Sequence, residues 1–336
     1  MMFALFFSPW IDSLADLFGL FDFQIRAFLT IGLVSLICGM VGAMVVANRM
    51  AFFSDAMAHC AFAGVALGLL TVMLLGFSLQ AGDAQDWLVP LVMVGFSALI
   101  GFGIAYVRDQ TNLATDTVIG VFFAGAMGFG AMLLTALRSR SRFDPEGFLF
   151  GNPWVVSDID ILYLLILFGF TSCLLAFRHN QLVLTSFNPT LARSRGIGIR
   201  VNNYLFIILL ALIVNFSLRA VGVLLINGLL IVPAASAANV ARNLRGMFWW
   251  TMSLSLISGI GGLLLSMRLR IPISEGPPLE FGPSGPILLL SVLGFFLTMI
   301  LAANRALNAR IAGKSVDQPM AESDGEHTAG EPFCLH

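Results

Sequence analysis

Apolar residues run along this chain in long blocks, and most of its charges gather in the short stretches between them. A helix rises about 1.5 Å per residue and the hydrocarbon core of a bilayer is about 30 Å thick, so roughly 20 apolar residues suffice to cross it. Nine blocks qualify: Phe23–Ala47, Phe52–Gly76, Trp87–Val107, Thr115–Leu137, Asp158–Phe177, Val201–Leu218, Val221–Ala241, Met247–Met267 and Pro286–Ala303. Arg219 separates the sixth from the seventh, so eight spans and one broken helix is a fair alternative. No stretch alternates as a strand would. Lipid-exposed backbone must satisfy its own hydrogen bonds, so the expected fold is all-α: a polytopic membrane protein of 8–9 transmembrane helices occupying residues 23–303. Pro233, followed by Ala-Ala-Ser, predicts a break or kink in the seventh span.

Composition agrees. The chain is 58% hydrophobic and 11% charged, against about 25% charged in a soluble domain. Net charge of −1 gives no sign of a nucleic-acid partner. Cys38, Cys60 and Cys173 fall inside apolar blocks and Cys334 near the end, with no spacing of a disulfide framework or zinc knuckle. Residues 1–22 lack the basic start and cleavage site of a signal peptide and read as an interfacial segment anchored by Trp10. Residues 304–336 read as a cytosolic tail, polar and disordered from Asp317 onward. If nine spans alternate, Arg49, Arg108, Arg178, Arg193, Arg195, Arg200, Arg242, Arg245, Arg305, Arg310 and Lys314 share one side. That side is expected to be cytoplasmic, with the N-terminus outside. Arg138, Arg140, Arg142, Arg268 and Arg270 run against the rule.

Within these apolar blocks one stretch carries chemistry: FFSDAMAHCAFAGVALG, Phe52–Gly68. Asp55 and His59 lie four apart, which puts them on one helix face about 5–6 Å apart at Cβ. Asp55 falls in the expected first turn, where capping and the helix dipole alone favour an acid by about 0.3–1 kcal/mol. His59 is one turn deeper and has no such explanation. Neutral imidazole is a good ligand for Zn²⁺, and a neighbouring carboxylate is a second ligand or its orienting partner. Two ligands suit an ion that must leave again. Cys60 points about 100° away, which makes a shared ligand set improbable. Asp116 begins the fourth span, where capping also accounts for an acid. Asn215, Asn227 and Asn239 read as amides that join helices, and Asn227, beside Gly228, could also line a path.

Between the fifth and sixth spans lies SFNPTLARSRGIG, Ser186–Gly198. Asn188 is an N-cap, Pro189 fits the first helical position and Gly196 is placed to end the helix. Two turns are too short to span a membrane: this is a capped connector or a helix that docks in a partner's groove. Gly313-Lys314-Ser315 imitates the end of a phosphate-binding loop, but the required glycine five residues before Gly313 is Asn308. The chain is therefore not expected to hydrolyse ATP, and no other enzyme motif stands in the spans.

Five stretches, in order, together resemble the permease subunit of zinc/manganese/iron ABC importers, closest to the bacterial zinc-uptake permeases. They are Phe52–Gly68, DTVIGVFFAGAMGFG at Asp116–Gly130, FLFGNPWVVSDIDI at Phe148–Ile161, FNPTLARSRGI at Phe187–Ile197 and AVGVLLINGLLIVPAASA at Ala220–Ala237. The resemblance implies a permease homodimer in the bacterial inner membrane, an ABC ATPase subunit docked beneath each copy and a periplasmic metal-binding protein above. It implies metal passage at the Asp55/His59 pair; Asn227 and Asp116 stand beside it as further pathway candidates from the reading of the residues. It likens Asn188, Pro189, Leu191, Ala192, Arg193 and Gly196 to the helix that couples to the ATPase. Leu149–Gly151 is similar to an outer segment near the mouth, although Asn152 stands where an acid is expected. Zn²⁺ would be cargo, with Mn²⁺ or Fe²⁺ as alternatives, and no resident cofactor is implied. A proton-coupled secondary carrier is the competing expectation, since Asp55 and His59 could exchange protons for metal.

Overall fold

The structure is a computed structural model that describes residues 21–76, 82–111, 113–137, 147, 150–271, 279–280 and 282–314. Trp10, the arginines at 138–142, Leu149 and the chain beyond Lys314 lie outside the described residues. Ten helices follow in order: α1 Asp22–Ala47, α2 Ala51–Leu74, α3 Gly82–Gln110, α4 Thr115–Leu137, α5 Asp158–Phe187, α6 Pro189–Ser194, α7 Ile199–Val221, α8 Val223–Val240, α9 Leu244–Arg268 and α10 Ser284–Lys314. All but α6 are long and apolar enough to cross a membrane, so nine spans stand among the described residues. The fold is all-α, as the apolar blocks predict. A two-residue ladder, β1 Arg270–Ile271 against β2 Leu279–Glu280, ties the connection between α9 and α10.

The helices outrun the apolar blocks because their ends are polar but still helix-forming. α5 continues ten residues past Phe177, about 15 Å, and hands directly to α6. α10 runs to Lys314, so residues 304–314 continue the last span as helix, and Lys314 sits on that helix rather than in a phosphate-binding loop.

The sixth and seventh spans separate at Gly222, not at Arg219. Gly222 has φ +83° and ψ 165°, a region open essentially to glycine alone and costing other residues about 1–3 kcal/mol. Gly151, at φ +65°, packs back-to-back against it, so that a Cβ on either glycine would strike backbone of the other strand of chain. Arg219 instead pairs with Asp160 at the start of α5, 3.4 Å away, beside a second pair, Arg26–Asp158 at 2.8 Å. α8 runs from Val223 to Val240 with Pro233 inside it, so of the expected break or kink the break is absent.

Helices α1, α2 and α7 are the most buried of the nine. α2 packs between α3 and α4, and its glycines make this close: a Cβ on Gly64 would come within 2.8 Å of Met93 Cα on α3. Polar side chains join the other contacts. Ser97 Oγ on α3 donates to Asn215 Oδ1 on α7 at 2.9 Å, and Ser255 Oγ on α9 donates to the Ser35 carbonyl on α1 at 2.8 Å. Asn48 Nδ2 reaches Ser186 Oγ at 2.8 Å, tying the end of α1 to the end of α5.

Candidate functional site

α2 opens at Ala51 with Met50 as an N-cap that makes no side-chain bond. Asp55 is therefore the fifth helical residue, beyond the first turn, and the capping role drops out. Its carboxylate has another partner: Asn227 Nδ2, in the second turn of α8, donates to Asp55 Oδ1 at 2.8 Å. Asn227 lies 172 residues further along the chain. Its Oδ1 is buried and has no hydrogen-bond partner. An amide carbonyl left bare in an apolar setting is costly, typically about 1–3 kcal/mol.

His59 Nδ1 lies 2.8 Å from the Asp55 backbone carbonyl and 3.6 Å from Asp55 Oδ1. A carbonyl only accepts, so Nδ1 carries the hydrogen and a neutral ring keeps its lone pair on Nε2. A ring nitrogen held by a backbone carbonyl, with the other nitrogen free, is how proteins present imidazole to a metal. The Phe123 ring of α4 meets the imidazole edge-on at 5.1 Å and limits its rotation. Asp55 Oδ2, His59 Nε2 and Asn227 Oδ1 are thus three oxygen and nitrogen donors drawn from two helices.

The cluster is not closed. The Asp55 side chain is 47% exposed and that of His59 25%, on a helix otherwise among the most buried. Among the described residues no three His, Cys, Asp or Glu side chains assemble. Cys60 is fully buried in the core. Asp116 occupies the first turn of α4, exposed, about 10 Å along that helix from Phe123, and makes no bond to the pair. Asn215 joins α3 to α7, and Asn152 caps the short 3-10 turn Pro153–Val155 by accepting from Trp154 N.

At the opposite end of α5, Asn188 Oδ1 accepts from Leu191 N at 3.1 Å and starts α6. Gly196, at φ +70°, ends it: Ile197 N reaches the Ala192 carbonyl and Gly196 N the Arg193 carbonyl, the pair of bonds of a Schellman cap. The short helix is therefore fixed at both ends. It presents Leu191, Arg193 and Ser194 to solvent, whereas Ala192 is fully buried against the bundle.

Comparison with known proteins decides the class. The sequence profile described as the ABC 3 transport family matches residues 20–302. The chain belongs to the ABC 3 transport family. It is 31% identical over 247 residues to the high-affinity zinc uptake system membrane protein of Haemophilus influenzae, covering 74% of this chain and 89% of that one. A manganese import system permease protein of Streptococcus parasanguinis is 30% identical over 302 residues, 90% of this chain and 97% of the other. The fold matches PsaBC from Streptococcus pneumoniae, solved in complex with a Fab, with a TM-score of 0.67 and 25% identity. That match covers 86% of this chain and 95% of the other. In this ABC 3 chain the Asn227–Asp55 contact had no signal in sequence spacing, because it joins two helices far apart along the chain.

Proposed function

We propose that the chain is the permease subunit of an importer that moves a divalent metal ion, zinc, from periplasm to cytoplasm across the bacterial inner membrane. The observation that carries this reading is the Asp55–His59–Asn227 cluster, which offers a few donors suited to such an ion and is left partly open. Asp55 would attract the cation, His59 Nε2 would ligate it, and the bare Asn227 carbonyl would replace one water of its hydration shell. A site of few ligands releases its ion readily. Because it is open on one side, a second copy of the chain facing it would supply further donors, and the working unit in this reading is a homodimer. A periplasmic metal-binding protein would deliver the ion from outside.

The energy would come from ATP hydrolysis on a separate subunit docked against α6. Leu191 and Arg193 on its exposed face suit a partner's groove, and Ala192 on its inner face transmits the motion to the bundle. Asp116 would line the cytoplasmic approach rather than the ligand set. A secondary carrier would need no such helix, and membership of an ABC family favours the ATP-driven reading.

Zinc rests on the imidazole ligand and on the zinc-uptake relative. Carboxylate and carbonyl oxygens suit manganese as well, so the two metals are the alternatives to separate. The test is uptake of labelled zinc by cells carrying the chain with its ATPase, in competition with manganese. Zinc uptake that a tenfold excess of manganese leaves intact supports the assignment; uptake of manganese alone overturns it.

A further inference from the structure

Between α5 and α7 lies a groove of about 600 Å³ walled almost wholly by hydrocarbon. Phe170 and Leu174 form one wall, and Val201, Tyr204, Ile208 and Leu212 the other. The Tyr204 ring rests on Phe102 of α3, 5.4 Å between centroids, which keeps that wall in place. Val201 to Leu212 is twelve residues, about 16 Å of helix from first to last, which matches the depth of one leaflet's hydrocarbon, about 15 Å.

The groove has a charged mouth. On α5, Phe170, Leu174 and Arg178 follow each other at four-residue steps and so share a face. On α7, Arg200 stands directly before Val201, lines the groove, and is 78% exposed at its side chain. Its Nε pairs with Asp109 Oδ2 at 3.0 Å, which leaves both Nη groups unengaged. Arg178 is steered by Gln181 at 2.7 Å and by Asn202 at 3.4 Å. Two guanidiniums against one carboxylate leave a net positive mouth at the end where α6 and its arginines also lie.

We propose that this groove is a binding site for an anionic phospholipid, with an acyl chain along α5 and α7 and the phosphate between Arg178 and Arg200. Guanidinium forks hold phosphate bidentately, and basic pockets between spans select anionic headgroups. The metal cluster lies among α2, α4 and α8, none of which lines this groove. The bound lipid would join the base of α7 to the segment that carries α6, which places membrane charge next to the helix that receives the ATPase.

The test is native mass spectrometry of the full-length chain taken from nanodiscs holding equal amounts of phosphatidylglycerol and phosphatidylethanolamine. The wild type retains phosphatidylglycerol preferentially. Arg178→Gln and Arg200→Gln each reduce that preference by about fivefold, the worth of one arginine at an anionic surface. Asp109→Asn, which removes the carboxylate paired with Arg200 and keeps both guanidiniums, leaves it equal or higher. Ile208→Trp fills the groove and lowers retention of both lipids. Unchanged preference in both arginine variants overturns the site. Loss of dimer with lipid counts unchanged in Ile208→Trp also overturns it, by giving the groove to a second copy.

Discussion

Asn227 on α8 donates to the carboxylate of Asp55 on α2 across 2.8 Å, while its own carbonyl oxygen, buried, accepts from nothing. One amide thus steadies the acid and leaves an oxygen free beside it. Removing it should matter twice. Asn227→Ala is expected to reduce transport roughly tenfold or more, the worth of a hydrogen bond to a charged group. Radiolabelled metal uptake in vesicles checks this, with detergent-resistant assembly as the control. A normal rate would return Asn227 to a helix-joining role.

His59 is held through Nδ1 and presents Nε2. His59→Ala should lower uptake by at least about tenfold, with the elution profile as the control for the packing lost against Phe123. Unaltered uptake with a normal elution profile would make the imidazole a packing group only.

Gly151 and Gly222 meet at positive φ with no room for a methyl group. Gly222→Ala should cost at least about 2 kcal/mol from the backbone conformation and the collision together, a fall in melting temperature of about 4 °C or more. Thermal unfolding followed by tryptophan fluorescence reads it. An unchanged midpoint would mean that the α7–α8 junction relaxes freely.

The two faces of α6 separate two roles. Arg193→Glu alters only exposed charge and should uncouple ATP hydrolysis from uptake at unchanged stability. Ala192→Leu overfills a buried position and should destabilise the bundle by about 1–3 kcal/mol. The comparison is made by ATPase rate per metal moved and by melting temperature. Equal effects of the two substitutions on both readouts would remove the docking assignment.

The span pattern was legible in the sequence because membrane crossing imposes a length and a hydrophobicity that single residues cannot hide. α6 was legible too: Asn188, Pro189 and Gly196 act locally, within one turn of where they stand. What failed was the inference from one residue to a remote partner. Arg219 looked like a divider between spans, yet it has an acid, Asp160, to pair with, and the turn falls on the residue that tolerates positive φ. Pro233 was read as a break or kink, and the helix continues through it without a break. Asp55 looked like a cap because the apolar block starts at Phe52, whereas Met50 and the bonds of the first turn place the helix start earlier. Its true partner is set by tertiary packing, which spacing along the chain does not encode. Ala192 shows the same limit, since a six-residue helix gives no periodicity from which to read its inner face.

The most direct test is metal uptake by proteoliposomes containing the permease and its ATPase subunit, with the wild-type chain compared with the Asp55→Ala/His59→Ala double variant. Zinc should accumulate only when ATP is hydrolysed, and the double variant should assemble, hydrolyse ATP and fail to accumulate zinc. Accumulation driven by a proton gradient without ATP, or wild-type uptake by the double variant, would contradict passage of metal along this cluster.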